Sequence, residues 1–234
     1  MKDIIFEKRN RFVWGLLAFQ GGFVNIGGFL SVHVFVSHLT GFPGHFSVEL
    51  LNQNYVHALY FLFVPVFFLF GSFFTGVFTE VKRERGRAPV YVNVLLLQCL
   101  LYLTVALLGY FDFLGDFGRE MSNFKNFILL IILAFSCGSQ NSLFTKYSNS
   151  ILRTTHITGL VTDLGIGLSK VYVAGDQSEK EMNSIRSFLI LFFGLGSFIG
   201  LLVFNQFQFL GFLVPVVVSL FVGVRLYLCR VRSS

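Results

Sequence analysis

The stretch from Ser187 to Val224, SFLILFFGLGSFIGLLVFNQFQFLGFLVPVVVSLFVGV, runs for 38 residues without a charged side chain. One membrane crossing needs only about 20 apolar residues. The run is therefore long enough for two, about Ser187 to Phe204 and about Leu210 to Val224, with the polar Asn205-Gln206-Phe207-Gln208 as a tight turn between them. Working outward, Phe12 to Val48 is equally free of charge when His is counted as neutral. A first span is expected over about Phe12 to Phe35, a second over about Ala58 to Thr79, a third over about Ala88 to Phe111 and a fourth over about Asn126 to Thr145. A closed barrel would show short alternating segments instead of 20-residue apolar blocks, so the spans read as helices.

Composition agrees. The 234 residues are 54% hydrophobic and 13% charged, with 32 Phe and a mean hydropathy of +0.72, whereas a soluble domain is about 25% charged. Cys99, Cys137 and Cys229 are scattered and make no disulfide framework. The net charge of +6 does not point to nucleic acid, because the basic residues flank apolar runs and form no aromatic-interleaved stripe. The fold class expected is an all-α polytopic membrane protein, residues 1–234 forming a single transmembrane domain whose first partner is the lipid bilayer.

Lys and Arg set the orientation. With the amino terminus cytoplasmic, 16 of the 18 basic residues fall on the cytoplasmic side, and only Arg119 and Lys125 face out. The expectation is six spans with both termini inside. The basic start followed by an apolar stretch imitates a signal peptide, but the stretch is too long for one and no clean cleavage site follows, so retention is expected.

Self-comparison reveals a repeat. Ala18-Phe19-Gln20-Gly21-Gly22-Phe23-Val24-Asn25 matches Ala134-Phe135-Ser136-Cys137-Gly138-Ser139-Gln140-Asn141 at A-F-x-x-G-x-x-N. His38-Leu39-Thr40-Gly41 matches His156-Ile157-Thr158-Gly159, and Gly71-Ser72-Phe73 matches Gly196-Ser197-Phe198. The offsets are 116, 118 and 125 in the same order. Repeat one covers about 12–111 and repeat two about 126–229; three spans each, an odd number, make the second half inverted, and inverted repeats recur in transporters and channels. Ala18, Gly22 and Asn25 share a helix face, as do Ala134, Gly138 and Asn141. Such a face serves either as packing glue or as the polar lining of a site.

Thr40 and Thr158 read as N-caps of short apolar segments, Gly41 to Leu51 and Gly159 to Leu168. Each is too short to span, so each is either a re-entrant half-helix whose amino end offers N–H groups to an anion or carbonyl, or a surface helix. The first belongs to the outer connection and the second to the inner one. Gly41, His45 and Glu49 share a face, as do Gly159, Asp163 and Gly167, and an ionisable group in an apolar helix is a functional candidate. His45 with Asp163 is the pair expected to carry a proton, unless both sit hydrated at the headgroup level. His33, His38 and His45 have no metal-ligand spacing. No catalytic motif or cofactor motif is present, which disfavours an enzyme. The run Asp176 to Arg186 reads as a solvated loop, and Trp14, Tyr102 and Tyr110 as interface or packing aromatics.

Gly138-Ser-Gln-Asn141 followed by Arg153-Thr-Thr-His-Ile-Thr-Gly-Leu-Val-Thr-Asp-Leu-Gly165, together with Gly22-x-x-Asn25 and Phe35-Val-Ser-His-Leu-Thr-Gly41, resembles the signature of the YoaK-like membrane proteins over nearly the whole chain. That resemblance implies about six helices in a bacterial inner membrane and no known activity. The chain departs from it in having Asn25 where the family pattern has Asp, and Phe42 where it has Asn.

The function expected is movement of a small solute or ion, without a metal or other cofactor, through a site between the repeats. Asn25, His38, Thr40, Gly41, His45, Asn141, His156, Thr158, Gly159 and Asp163 are the substrate-binding candidates. A homo-oligomer is compatible with this. The rival is a non-transporting membrane scaffold, in which the same residues hold helices together.

Overall fold

The computed structural model describes residues 11–84, 91–121, 123–147 and 157–231, and all of its regular elements are helical. In chain order they are α1 (Arg11–Val32), α2 (Phe42–Leu51), α3 (Tyr55–Glu84), α4 (Tyr91–Tyr110), α5 (Phe124–Tyr147), α6 (Ile157–Tyr172), α7 (Glu179–Phe207) and α8 (Leu213–Val231). Among the described residues five stretches are long and apolar enough to cross a membrane, and the longest, Glu179–Leu228, takes in α7 and most of α8. Apolar sequence favours helix here because a backbone deprived of water must satisfy its own hydrogen bonds.

Helix ends differ from the sequence reading in instructive ways. Asn205 to Phe207 stay helical, and the break falls on a 3-10 turn, Gln208–Phe212, entered with Gln208 at φ 48°. Glu179 to Arg186, expected in a solvated loop, form the first turns of α7. α2 and α4 end with a left-handed residue, Gln53 and Asp112, after which Asn54 N–H reaches Glu49 O (2.9 Å) and Phe113 N–H reaches Leu108 O (2.8 Å). These bonds satisfy end carbonyls that the helix leaves open.

The bundle is organised by two close crossings. α1 packs mainly on α7, and α3 mainly on α5. A methyl group added at Gly22 would collide with the Phe193 carbonyl oxygen, and one at Gly196 with that of Phe19; one at Gly71 would meet the Phe135 oxygen, and one at Gly138 that of Phe68. Each helix thus presents a Phe-x-x-Gly step whose glycine receives the partner's phenylalanine backbone. A serine seals each crossing: Ser197 Oγ donates to Gly22 O (3.2 Å) and Ser72 Oγ to Gly138 O (2.9 Å). Exchanging the halves of the sequence turns one crossing into the other. The remaining contacts pair in the same way, α2 on α3 matching α6 on α7, with α4 on α8 common to both halves.

The contacts also give directions. Gly15, Gly22 and Gly27 approach Phe188, Phe193 and Phe204 in order, so α1 and α7 run parallel. Tyr60 stacks on Phe127, Gly71 meets Phe135 and Thr75 bonds Ser139, so α3 and α5 do too. Gly27 meets Phe212 while Gln20 meets Ser219, so α8 opposes α1 and the chain reverses at the 3-10 turn. α1 and α5 are the inner helices, 67% of each apolar window being buried, against 22% for α3 and for the α7–α8 stretch. The outer helices turn Leu69, Phe73, Leu191 and Phe198 outward.

Both short helices double back along a long one. After α1 the chain returns over its own helix, burying Val34 and Val36, and Ser37 hydrogen-bonds Asn25. Asn25 lies about 10 Å below the end of α1 at 1.5 Å per residue. α2 starts there, with Phe42 buried against Phe61, and climbs back along α3. At the opposite end, α6 sets Leu160 against Leu189 and Ala18, about 15 Å into α7 from Glu179.

Candidate functional site

The middle of the bundle holds a polar cluster where α1, α4, α5 and α8 meet. Gln20 is the tenth of the 22 residues of α1. Gln98 and Tyr102 are the eighth and twelfth of the 20 residues of α4, one turn apart on one face. Ser136 is the thirteenth of the 24 residues of α5, and Ser219 the seventh of the 19 of α8. All five are fully or almost fully buried. Small residues nearby, Gly21, Gly22 and Ala134, let the helices come together.

An oriented relay runs through the cluster. Ser219 Oγ donates to Gln20 Oε1 (3.2 Å), and Gln20 Nε2 donates to Gln98 Oε1 (3.4 Å). The relay ends on the Gln98 amide nitrogen, which has no hydrogen-bond partner among the described residues. The Tyr102 hydroxyl faces Ser136 and Gln20. Among the described residues neither the Tyr102 hydroxyl nor Ser136 Oγ has a partner at hydrogen-bond geometry. Buried polar groups are normally satisfied, and each that is not costs about 1–3 kcal/mol. Three in one cluster leave hydrogen-bonding capacity open at the middle of the bundle. One turn along α5, Gln140 is fixed by a bond from its Nε2 to Leu17 O (2.9 Å).

The residues singled out from sequence are distributed elsewhere. Asn25 is half-buried, and its Oδ1 accepts from Ser37 N–H (3.2 Å) and Ser37 Oγ (2.9 Å), so its amide secures the returning chain. Asn141 is half-buried on α5. Thr40 lies within the 3-10 turn Leu39–Gly41, and Gly41 takes the N-cap position of α2 without a side-chain bond. Thr158 lies inside the first turn of α6, where its carbonyl accepts the Thr162 hydroxyl (2.9 Å). Neither threonine is therefore the cap that its Thr-Gly sequence suggests, because each helix frame is shifted by a residue or more.

His38, Thr40, His45, Thr158 and Asp163 are exposed, and Gly41 and Gly159 half-buried. His45 stacks on Phe61 at 4.8 Å. It sits at the α2 end of the bundle and Asp163 at the α6 end, so the fold does not bring them together. Glu49 accepts from Asn54 Nδ2 (2.9 Å) beside His57. His156, and among the orienting cations Lys2, Lys8, Arg9, Arg85, Arg87, Arg153 and Arg232, lie outside the described residues. Tyr102, read as an interface or packing aromatic, does pack in the buried core, and its hydroxyl joins the central cluster. Among the described residues no group of three His, Cys, Asp or Glu side chains is placed to hold a metal ion.

The central cluster had a sequence signal that the repeat obscured. Gln20, Gln98 and Gln140 are amides in the middle of apolar runs, and Gln20 and Gln140 fall at the unmatched positions of the repeated motif. The identical glycines of that motif lie at the helix crossings, whereas the cluster uses non-identical residues, Gln20 on α1 and Ser136 on α5.

Helices of this length and apolarity, with apolar faces outward and polar groups within, define a multi-pass helical membrane protein. The family model described as a protein of unknown function, DUF1275, matches residues 13–225, and the chain belongs to that family. Neither the curated proteins nor the solved structures give a significant match.

Proposed function

We propose that the chain crosses a bacterial inner membrane six times and moves a small solute or ion through the central cluster. In this reading the halves are inverted repeats, α2 and α6 are re-entrant half-helices from opposite faces, and both termini are cytoplasmic, as the resemblance to YoaK-like proteins also implies. Supporting the crossings are the reversal between α7 and α8 and the exchange of the α1–α7 and α3–α5 contacts between halves. Supporting the orientation are the cations. Arg11 pairs with Glu181, Lys170 with Glu179 and Arg225 lies over Phe12, all at one end. Arg119 and Lys125 lie at the other, where Lys125 reaches Asp112 O.

The observation that carries the transport reading is the trio of unpartnered polar groups at mid-helix depth, between the first and third long helices of the two halves. Inverted-repeat transporters bind their substrates at that depth. The rival reading, a scaffold, draws on the reciprocal crossings, which would hold the fold with or without a substrate.

Cysteine accessibility separates the two. With the native cysteines at 99, 137 and 229 replaced by Ala, a single Ser136→Cys is exposed to a small, membrane-impermeant thiosulfonate in oriented vesicles. Labelling from either face supports a water-lined route to the centre. Folded protein that resists the reagent from both faces, while Thr40→Cys and Thr158→Cys controls react, leaves the scaffold.

A further inference from the structure

We infer that the central site takes a small uncharged molecule presenting an acceptor oxygen, of the amide, urea or alcohol class; this rests on the transport reading above. The site's open valences are specific. The relay from Ser219 through Gln20 uses the Gln98 carbonyl oxygen and leaves its NH2 group, which can only donate. The Tyr102 and Ser136 hydroxyls, both unpartnered, add two more donors. A carbonyl or hydroxyl oxygen has two lone pairs, so placed among them it accepts from two of the three, the third being free to pair between the neighbouring Tyr102 and Ser136 hydroxyls, and a hydroxyl can still accept one proton from the solute.

Charge decides against an ion. Among the described residues every buried polar side chain is an amide or a hydroxyl, with no Asp, Glu, Lys, Arg or His in the set. A stripped ion costs several kcal/mol of hydration that only a counter-charge or a full coordination shell repays. A cation would find only the two hydroxyl oxygens of Tyr102 and Ser136 as open acceptors, short of a coordination shell. An anion would find donors but no positively charged side chain among the buried residues described. An uncharged molecule has only its own hydrogen bonds to exchange.

The test is stopped-flow light scattering on proteoliposomes of the full chain, with urea, acetamide or glycerol gradients beside sodium formate and potassium chloride. Entry of at least one of the three uncharged probes above protein-free vesicles is expected, falling about five- to tenfold in Tyr102→Phe and in Ser136→Ala, each of which removes one hydrogen bond. Ser72→Ala, at a helix crossing away from the cluster, should keep the wild-type rate. Formate or chloride entry without the uncharged probes overturns the solute class and leaves transport standing. So does passage of water alone. No flux of any probe, with Ser136→Cys still reactive, likewise overturns the class; no flux with Ser136→Cys protected removes the transport reading itself.

Discussion

Gly22→Ala places one methyl group where α1 and α7 touch through their backbones. The added Cβ falls under 3.0 Å from the Phe193 carbonyl, against 3.4–4 Å for an ordinary contact. The obstacle is a peptide oxygen inside a long helix, so no rotamer change relieves it. The helices must separate by more than 0.4 Å, the difference between 3.4 and 3.0 Å. Separation also lengthens the Ser197 bond to Gly22 O, already 3.2 Å. Overpacking costs about 1–3 kcal/mol, and the rigid obstacle puts the expected loss at the upper end, about 3 kcal/mol, for Gly22, Gly71, Gly138 and Gly196 alike. Coupling sharpens the prediction. Gly22→Ala with Gly196→Ala should cost clearly less than the sum, because one separation relieves both clashes. Gly22→Ala with Gly138→Ala acts on two separate crossings and should add to within about 0.5 kcal/mol. Reversible unfolding in mixed micelles reads all of these. Single variants within about 0.5 kcal/mol of wild type, or an additive Gly22–Gly196 pair, would refute the reciprocal backbone contact.

Three further outcomes follow from individual contacts. Gln140→Leu removes the bond to Leu17 O and leaves that carbonyl with its helical partner alone, so a loss of about 1 kcal/mol is expected in the same unfolding assay. His45→Ala loses the stack on Phe61, about 0.5–1.5 kcal/mol; amide hydrogen exchange should show α2 opening more often while α6 stays protected. The carboxyl of Asp176 is held below the usual carboxylate range, chiefly by the Ser178 hydroxyl and then by the Ser178 N–H. A depressed folded value means that its contribution is present above the unfolded value and is lost as pH falls through the carboxylate range and below. Exchange at the Ser178 amide should therefore rise relative to other loop amides on acidification, and Asp176→Ala should abolish that pH dependence.

Much of the architecture was legible one residue type at a time. Charge-free runs of sufficient length required helices, since a backbone without water has no other way to pair its polar groups. The recurrence of Gly22 at Gly138 and of Gly71 at Gly196 marked the four glycines at which the long helices meet backbone to backbone. Helix ends were less legible. The chain continues as helix through Asn205 and Gln206 despite their polarity and stops only where Gln208 turns left-handed, because polar residues at the end of a long helix can reach solvent without breaking it.

What the sequence by itself determined is therefore the class of protein, its helical content and the glycines of its closest crossings, which follow from local hydropathy and from identical residues at fixed offsets. Only the tertiary structure decided which polar groups share a space. His45 and Asp163 match in the alignment of the halves, yet packing on α3 and α7 holds them at opposite ends. Gln20 and Ser136 share a motif position but not an identity, and Gln98, Tyr102 and Ser219 lie in no matched motif, yet four helices bring them together. The physical reason is that helix crossings are fixed by backbone contacts at small residues, and whatever those contacts turn inward becomes the interior, whether or not any pattern along the chain marks it.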